Sequence, residues 1–410
     1  MSTDLNLTST NQPVDGPRLS IGQRMQGLGS SARQYGIFGA LLVIILLFQL
    51  LTSGRLLMPN NVAALFQQNA YVMVLAIGMV MVIVAGHIDL SVGSVVAFVG
   101  GVVATSMASW GLPWMVAVLL GLAVGAVVGA WQGFWIAYVG IPAFIVTLAG
   151  MLIFRGLALA IVGETIAGLP PAFIKIAKGS LPNVLGKLGS MDMVTLVIGV
   201  LAVLAIAFSQ LRARRSLHKH NLNVEPIGLF AAKLALIALG IGFLTVVLSK
   251  SAGGTPIILV IVGVLVVGYT FVMGRTVFGR HIYAIGGNRQ AARLSGVDIQ
   301  KIDFWIFVNI GMLAGAAAIV TTSRAGAAVA AAGDSFELDA IAACFIGGAA
   351  VTGGIGRVSG AIVGALVMGV LNMGLSIMGV DASWVKAIKG LVLLLAVAFD
   401  LVNKRRAGTQ

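Results

Sequence analysis

Apolar residues in this chain run in long blocks, and polar residues collect in the short stretches between them. A membrane-crossing helix needs about 20 apolar residues, because ~1.5 Å of rise per residue must cover a hydrocarbon layer ~30 Å thick. Twelve segments qualify: 36–52, 62–85, 90–109, 114–138, 143–163, 191–209, 227–248, 256–273, 302–322, 338–355, 358–378 and 384–402. A helix satisfies its backbone groups internally, so the pattern predicts an all-α polytopic membrane protein with 10–12 transmembrane helices. Glycine and polar clusters interrupt the edges of the third, tenth and eleventh segments, which makes these the candidates for broken or re-entrant helices.

The glycines add a packing prediction. Gly121, Gly125, Gly129 and Gly133 stand four apart and line one face of the fourth segment, where another backbone can approach closely. Two hexapeptides, Gly125 to Ala130 and Gly360 to Ala365, differ at one position and fall in the fourth and eleventh segments. Seven segments separate them, an odd number, so equivalent copies would be inverted, as in transport cores built from two inverted repeats with the pathway at their junction. The competing reading is chance likeness between two small-residue packing faces.

Composition removes the soluble alternatives. Of the 410 residues 59% are hydrophobic and 10% charged, with a mean hydropathy of +1.04, against ~25% charged in globular domains. A soluble enzyme and a nucleic-acid-binding domain are excluded. The net charge of +13 then reports loop orientation, because basic loops resist translocation. Basic clusters follow the sixth segment (Arg212, Arg214, Arg215, Lys219), the eighth (Arg275, Arg280, Arg289, Arg293, Lys301) and the last (Lys404, Arg405, Arg406). With Arg18, Arg24 and Arg33 they fall on one side of twelve crossings. The expected layout is a cytoplasmic tail over 1–35, a transmembrane domain over 36–403 and a cytoplasmic tail over 404–410, with 164–190 and 323–337 extracytoplasmic. Lys175, Lys178 and Lys187 are exceptions beside an amphipathic stretch, Pro171 to Ile176, suited to a membrane surface. Cys344 is the only cysteine, so there is no disulfide framework and no thiolate metal cluster.

Polar groups at membrane depth are the candidate chemistry. Asp89, in Gly86 to Gly93, lies between two apolar runs, where a charge costs roughly 2.5–3.5 kcal/mol on the insertion scale. Asp89 or Ser91 can cap the following helix, or Asp89 can meet a polar solute or gating partner. His87 is read as a neighbour in that network rather than a metal ligand. Glu337 and Asp339 open the tenth segment, where the helix dipole favours carboxylates, with Arg324 and Asp334 as candidate ion-pair partners. Arg155 lies inside an apolar run and is expected to meet a carboxylate or face water. Asn309 and Asn372 read as interhelical hydrogen bonders before ligand contacts. Proline-flanked loops at 140–144 and 253–256 start helices.

The loop 275–301 carries the most specific signal. A short helix over Gln290 to Leu294 places Ala291 and Leu294 on one face beside arginines, a knob suited to a partner's groove. Gln290-Ala291-Ala292 followed by Gly296 resembles the Glu-Ala-Ala-x-x-x-Gly coupling motif of ATP-binding-cassette (ABC) permeases, with glutamine in place of the usual glutamate. Together with Gly86 to Gly93, Pro142 to Met151, Phe154 to Gly156, Gly279 to Asn288 and Leu338 to Gly348, it makes the chain similar to the pentose and galactose permease subunits of bacterial ABC importers. Within them it resembles the longer D-xylose type more than the ten-span ribose type, although His87 replaces an acidic residue expected in that type.

The resemblance implies a homodimer in the inner membrane, fed by a periplasmic sugar-binding protein and driven by a cytoplasmic ATPase that holds ATP and magnesium. No cofactor is expected on this chain. In agreement, the sequence has no G-x-x-x-x-G-K-[ST] phosphate loop; at the nearest approach, Gly186-Lys187, Leu181 stands where the first glycine belongs. ATPase coupling is expected at Asn288, Arg289, Gln290, Ala291, Ala292, Arg293, Leu294 and Gly296. The translocation pathway or its gating is expected at Asp89, Ser91, Phe144, Thr147, Arg155, Asn309, Glu337 and Asp339. The rival class is a proton-coupled secondary transporter in which Asp89, Glu337 or Asp339 carries the proton.

Overall fold

The computed structural model describes residues 21–220, 222 and 224–406, with side chains described from 36 to 398. Fifteen α-helices occur among the described residues: α1 (Ile21–Leu51), α2 (Pro59–Val84), α3 (Val92–Ala108), α4 (Trp114–Phe134), α5 (Ala143–Val162), α6 (Pro171–Lys178), α7 (Met193–Lys219), α8 (Ile227–Ser249), α9 (Ile257–Arg275), α10 (Val277–Gly287), α11 (Arg289–Leu294), α12 (Ile299–Ala325), α13 (Phe336–Ile346), α14 (Val358–Ile377) and α15 (Ala382–Arg406). Each of the twelve apolar segments therefore carries a helix. Eight helices among the described residues are long and apolar enough to cross a membrane. Prolines at 113, 142, 226 and 256 stand just before α4, α5, α8 and α9, and Pro59 opens α2, where a missing N–H costs nothing.

The tenth segment is shorter than its apolar run. α13 ends at Ile346, because the chain turns at Gly347 and Gly348, the latter at φ +87°, although apolar residues continue. Its 11 residues reach only ~16 Å at ~1.5 Å each, about half the hydrocarbon layer. Helix also extends beyond both ends of the expected transmembrane domain. α1 already starts at Ile21 and α15 runs to Arg406, so parts of both expected tails are helical. Residues 1–20 and 407–410 of those tails lie outside the described residues.

The core forms around α2 and α12, which with α14 are the most enclosed of the long helices. They lie antiparallel: Gly78 faces Ile310 and Leu313, and His87, just past α2, meets Asp303 at the start of α12. The glycine face of α4 is filled by α12. Gly125 rests on the backbone of Gly311 and Gly315, Gly129 on Phe307 and Val308, and Gly133 on Phe304. In the second hexapeptide, Gly360 and Gly364 take α14 onto the backbone of Gly347 and Ala343 in the same way.

These contacts have a two-part pattern. α12 packs on α2, α3 and α4, while α2 packs on α12, α13 and α14; α3 packs on α5, and α13 on α15. Exchanging α2–α5 with α12–α15 maps each pairing onto another. α7 and α8 form an outer hairpin, packed closely where Gly199 meets Thr245. The predicted amphipathic stretch is α6, but it buries Phe173 and Ala177 and is held to α12 by Ser323, which donates to the Phe173 carbonyl (2.7 Å) and accepts from the Ala177 N–H (3.1 Å).

Candidate coupling and translocation site

Two helices begin at interior breaks, and the breaks touch. The chain leaves α2 through Gly86 (φ +87°) and restarts helix only at Val92; it leaves α12 through Gly326 (φ +74°) and restarts at Phe336. A Cβ on Gly93 would collide with the Gly333 carbonyl, and one on Gly333 with that of Gly93, so this backbone crossing tolerates no side chain. The Glu337 carboxylate lies against Gly93 as well.

Asp89 is buried, yet neither it nor Ser91 caps α3 through its side chain, contrary to the expectation. Asp89 Oδ1 instead accepts from the Ser91 N–H (2.8 Å) and hydroxyl (2.7 Å), a local Asx turn that shapes the chain ahead of the helix. Ser91 sits in the helical region (φ −90°, ψ −17°), outside the extended geometry a capping hydroxyl uses. Its oxygen accepts from Gln132 Nε2 of α4 (2.7 Å), and Gly150 of α5 leaves the room for that amide. Thr147 contacts the same break through the Ile88 carbonyl, at 3.5 Å.

Around the other break the charges pair differently from the expectation. Asp339 accepts from the Tyr71 hydroxyl (2.7 Å) and has Lys389 of α15 at 3.0 Å; Asp334 accepts from Lys386 (2.6 Å). These lysines, and not Arg324, hold the two carboxylates. The Lys386 hydrogen bond keeps the Asp334 carboxyl below its ordinary range. Arg155 forms no ion pair with a carboxylate among the described residues, although its charge acts on Asp334 and Glu337. Its Nη1 donates to the carbonyls of Ala330 and Ala332, both at 2.8 Å, because the loop before α13 brings its backbone across α5. Asn309 links α12 to its neighbours, accepting from Tyr269 (2.5 Å) and donating to Met81 Sδ (3.4 Å), and Asn372 donates to Asn69 (3.1 Å).

At the end of the molecule that carries α11, a cavity of about 940 Å³ opens between the α2–α3 break, the start of α5 and α11. Its walls include His87, Phe144, Arg289, Gln290 and Arg293. A turn of π-helix, Trp135–Val139, ends α4 at Gly140 (φ +86°) beside it. α11 is capped by Asn288, whose Oδ1 accepts from the Ala291 N–H (2.9 Å), and is closed by Gly296 at φ +83°. It buries Ala292 against the body and leaves Gln290, Ala291, Arg293 and Leu294 exposed, Leu294 at 85%.

Three residues of this site were not singled out from the sequence. Gln132 was legible as an amide inside an apolar helix. Asp303, a fully buried carboxylate early in α12 that pairs with Arg289 and His87, had a signal in the run Lys301-Ile-Asp-Phe-Trp. Tyr71 carried none, since a tyrosine in an apolar run reads as core. His87 belongs with Asp303, not with Asp89. No group of His, Cys, Asp and Glu suited to a metal occurs among the described residues.

A many-spanning helical body with interior helix breaks, close glycine seams and an exposed capped helix beside an open cavity is the architecture of a membrane permease. The chain belongs to the family described as branched-chain amino acid transport system / permease component, which matches residues 61–397. It is 39% identical over 377 residues to the xylose transport system permease protein XylH of Escherichia coli K12, covering 90% of this chain and 92% of that one. The xylose transport system permease protein of Haemophilus influenzae is 38% identical over 368 residues, covering 90% and 96%. The ribose import permease protein RbsC of Bacillus subtilis 168 is 31% identical over 371 residues, covering 90% and 92%. No solved structure matches the chain.

Proposed function

We propose that this chain is the permease subunit of an ATP-driven ABC importer that moves a monosaccharide, D-xylose, inward across the bacterial inner membrane. The observation that carries the reading is the 39% identity to a xylose permease along nine-tenths of the chain. The capped, exposed α11 supports it independently, since the ATPase needs a rigid knob to push on.

The subunit works as a homodimer, receives sugar from a periplasmic binding protein and docks a separate ATPase, which binds ATP and magnesium. Both termini are cytoplasmic, as the basic clusters require. Asn288 to Leu294 and Gly296 form the coupling element. α2–α5 and α12–α15 are two inverted repeats, and the exchange of contacts between them supports this. ATP binding draws the docked ATPases together and tips the repeats between outward and inward access, sliding on glycine faces that hold no side chains. Phe144 and Thr147, beside the cavity and the α2–α3 break, gate its cytoplasmic mouth.

The proton-coupled reading is weakened at two of its three carboxylates, Asp89 and Asp339. Asp89 is taken up by Ser91 and Asp339 by Tyr71 and Lys389, and each is at most 2% exposed, which suits a structural carboxylate better than one that must meet water.

The test is uptake of labelled xylose, ribose, arabinose and galactose into vesicles holding this chain with its ATPase and binding protein. Xylose uptake that needs both partners is expected; uptake of none of these sugars, or uptake without the partners, contradicts the reading. Ala291→Arg is expected to abolish ATPase co-purification while the permease still inserts.

A further inference from the structure

Asp303 is fully buried near the start of α12, and a buried carboxylate without partners is costly. Its Oδ2 accepts from Arg289 Nη2, which reaches in from α11 with half of its side chain exposed. Its Oδ1 has no hydrogen-bond partner among the described residues, and His87 Nε2 stands at ion-pair distance from it, 3.3 Å away. Arg289 Nη1 approaches the same His87 nitrogen as well, at 3.5 Å. His87 also leans on Phe307, one turn further along α12, with ring centroids 5.8 Å apart. One carboxylate thus joins three elements: α11, the break between α2 and α3, and α12.

Stability alone does not explain this choice, because a buried ion pair is commonly matched or bettered by apolar packing. The arrangement differs from an apolar plug in direction. α11 otherwise buries only Ala292, so its firm grip on the interior is a single arginine leading to the two helices that form the core.

We propose that Asp303 and His87 are positioning residues that carry displacement of α11 through Arg289 into the α2–α3 break and α12, coupling ATP hydrolysis to sugar movement. The inference rests on α11 being the ATPase-coupling helix. A rigid charge-assisted link transmits a shift where a soft apolar contact would yield. The break is the place that can respond, since its backbone is outside regular helix and Gly86 is at positive φ.

The experiment reconstitutes the full complex in proteoliposomes and measures xylose uptake and ATP hydrolysis in the same vesicles. In Asp303→Asn, the ATPase is expected to remain bound while sugar moved per ATP falls about tenfold, the scale of a broken coupling contact. His87→Gln keeps an N–H donor and is expected to stay near the wild-type ratio, whereas His87→Phe falls with Asp303→Asn. If Asp303→Asn fails to insert, the neutral pair Arg289→Gln with Asp303→Asn removes both charges without stranding either, and the same fall is expected. An unchanged ratio in the variant that assembles would overturn the proposal, as would loss of ATPase binding with an unchanged ratio in the complexes that still form, which marks Asp303 as a mere anchor of α11. A wild-type complex without ATP-driven uptake would instead overturn the coupling reading beneath it.

Discussion

Asp89 ahead of α3 and Asp339 in the first turn of α13 are both buried carboxylates at interior helix breaks, and the protein satisfies them by opposite means. Asp89 is held by the amide and hydroxyl of Ser91, two residues on, backed by Gln132. Asp339 is held at long range by Lys389 of α15 and Tyr71 of α2. The first carboxylate is satisfied within its own turn, although the break around it is tied to α4 through Gln132 and to α12 through His87. The second is tied to a distant helix, so it can shift only with α15. Two breaks of like packing thus satisfy one carboxylate locally and the other across helices.

Variants can break or sharpen that contrast. The largest effect is expected where both halves depend on bare backbone. Gly129→Leu drives a side chain into the Phe307 carbonyl, and folded yield by size-exclusion chromatography is expected to vanish. Lys389→Ala leaves Asp339 buried without its charge partner, a loss of about 3–5 kcal/mol, and adding Asp339→Asn is expected to recover much of it in thermal melts. If the double variant is no better than the single, the ion pair is not what ties α13 to α15. Asp89→Asn keeps an oxygen for the Asx turn, so uptake is expected to stay above about half of wild type. Loss of uptake with normal assembly would assign Asp89 a charge-dependent role.

The smallest effect belongs to Asp334→Ala, whose pair with Lys386 is exposed on both sides. Less than about 1 kcal/mol is expected. Because the Asp334 carboxyl is held below its ordinary value of 3.8, the pair's contribution is fully present above that value and is lost as pH falls through the lower folded-state value. The melting difference between variant and wild type is therefore expected to be constant near neutrality and to close only in acid below 3.8.

Much of this architecture was legible because a bilayer imposes it: long apolar runs became helices, and Gly121 to Gly133 became a seam. The hexapeptides pointed at two helices that occupy exchangeable places. What was not legible depended on groups far apart in the chain. Arg155 finds carbonyls 175 and 177 residues away, which no residue type signals. α13 stops where two glycines turn the chain while hydropathy stays high. Asp303 hid at the edge of an apolar run, and Arg289, fourteen residues earlier and expected in the coupling element, gave no sign that it reaches back to it.

The most direct test of the central claim is xylose uptake into vesicles holding the permease, its ATPase and its binding protein, measured with ATP, without ATP and with a proton ionophore. Uptake that requires ATP and survives the ionophore is predicted. Uptake that ignores ATP and collapses with the ionophore would contradict the account and move the mechanism to the carboxylates at the two breaks.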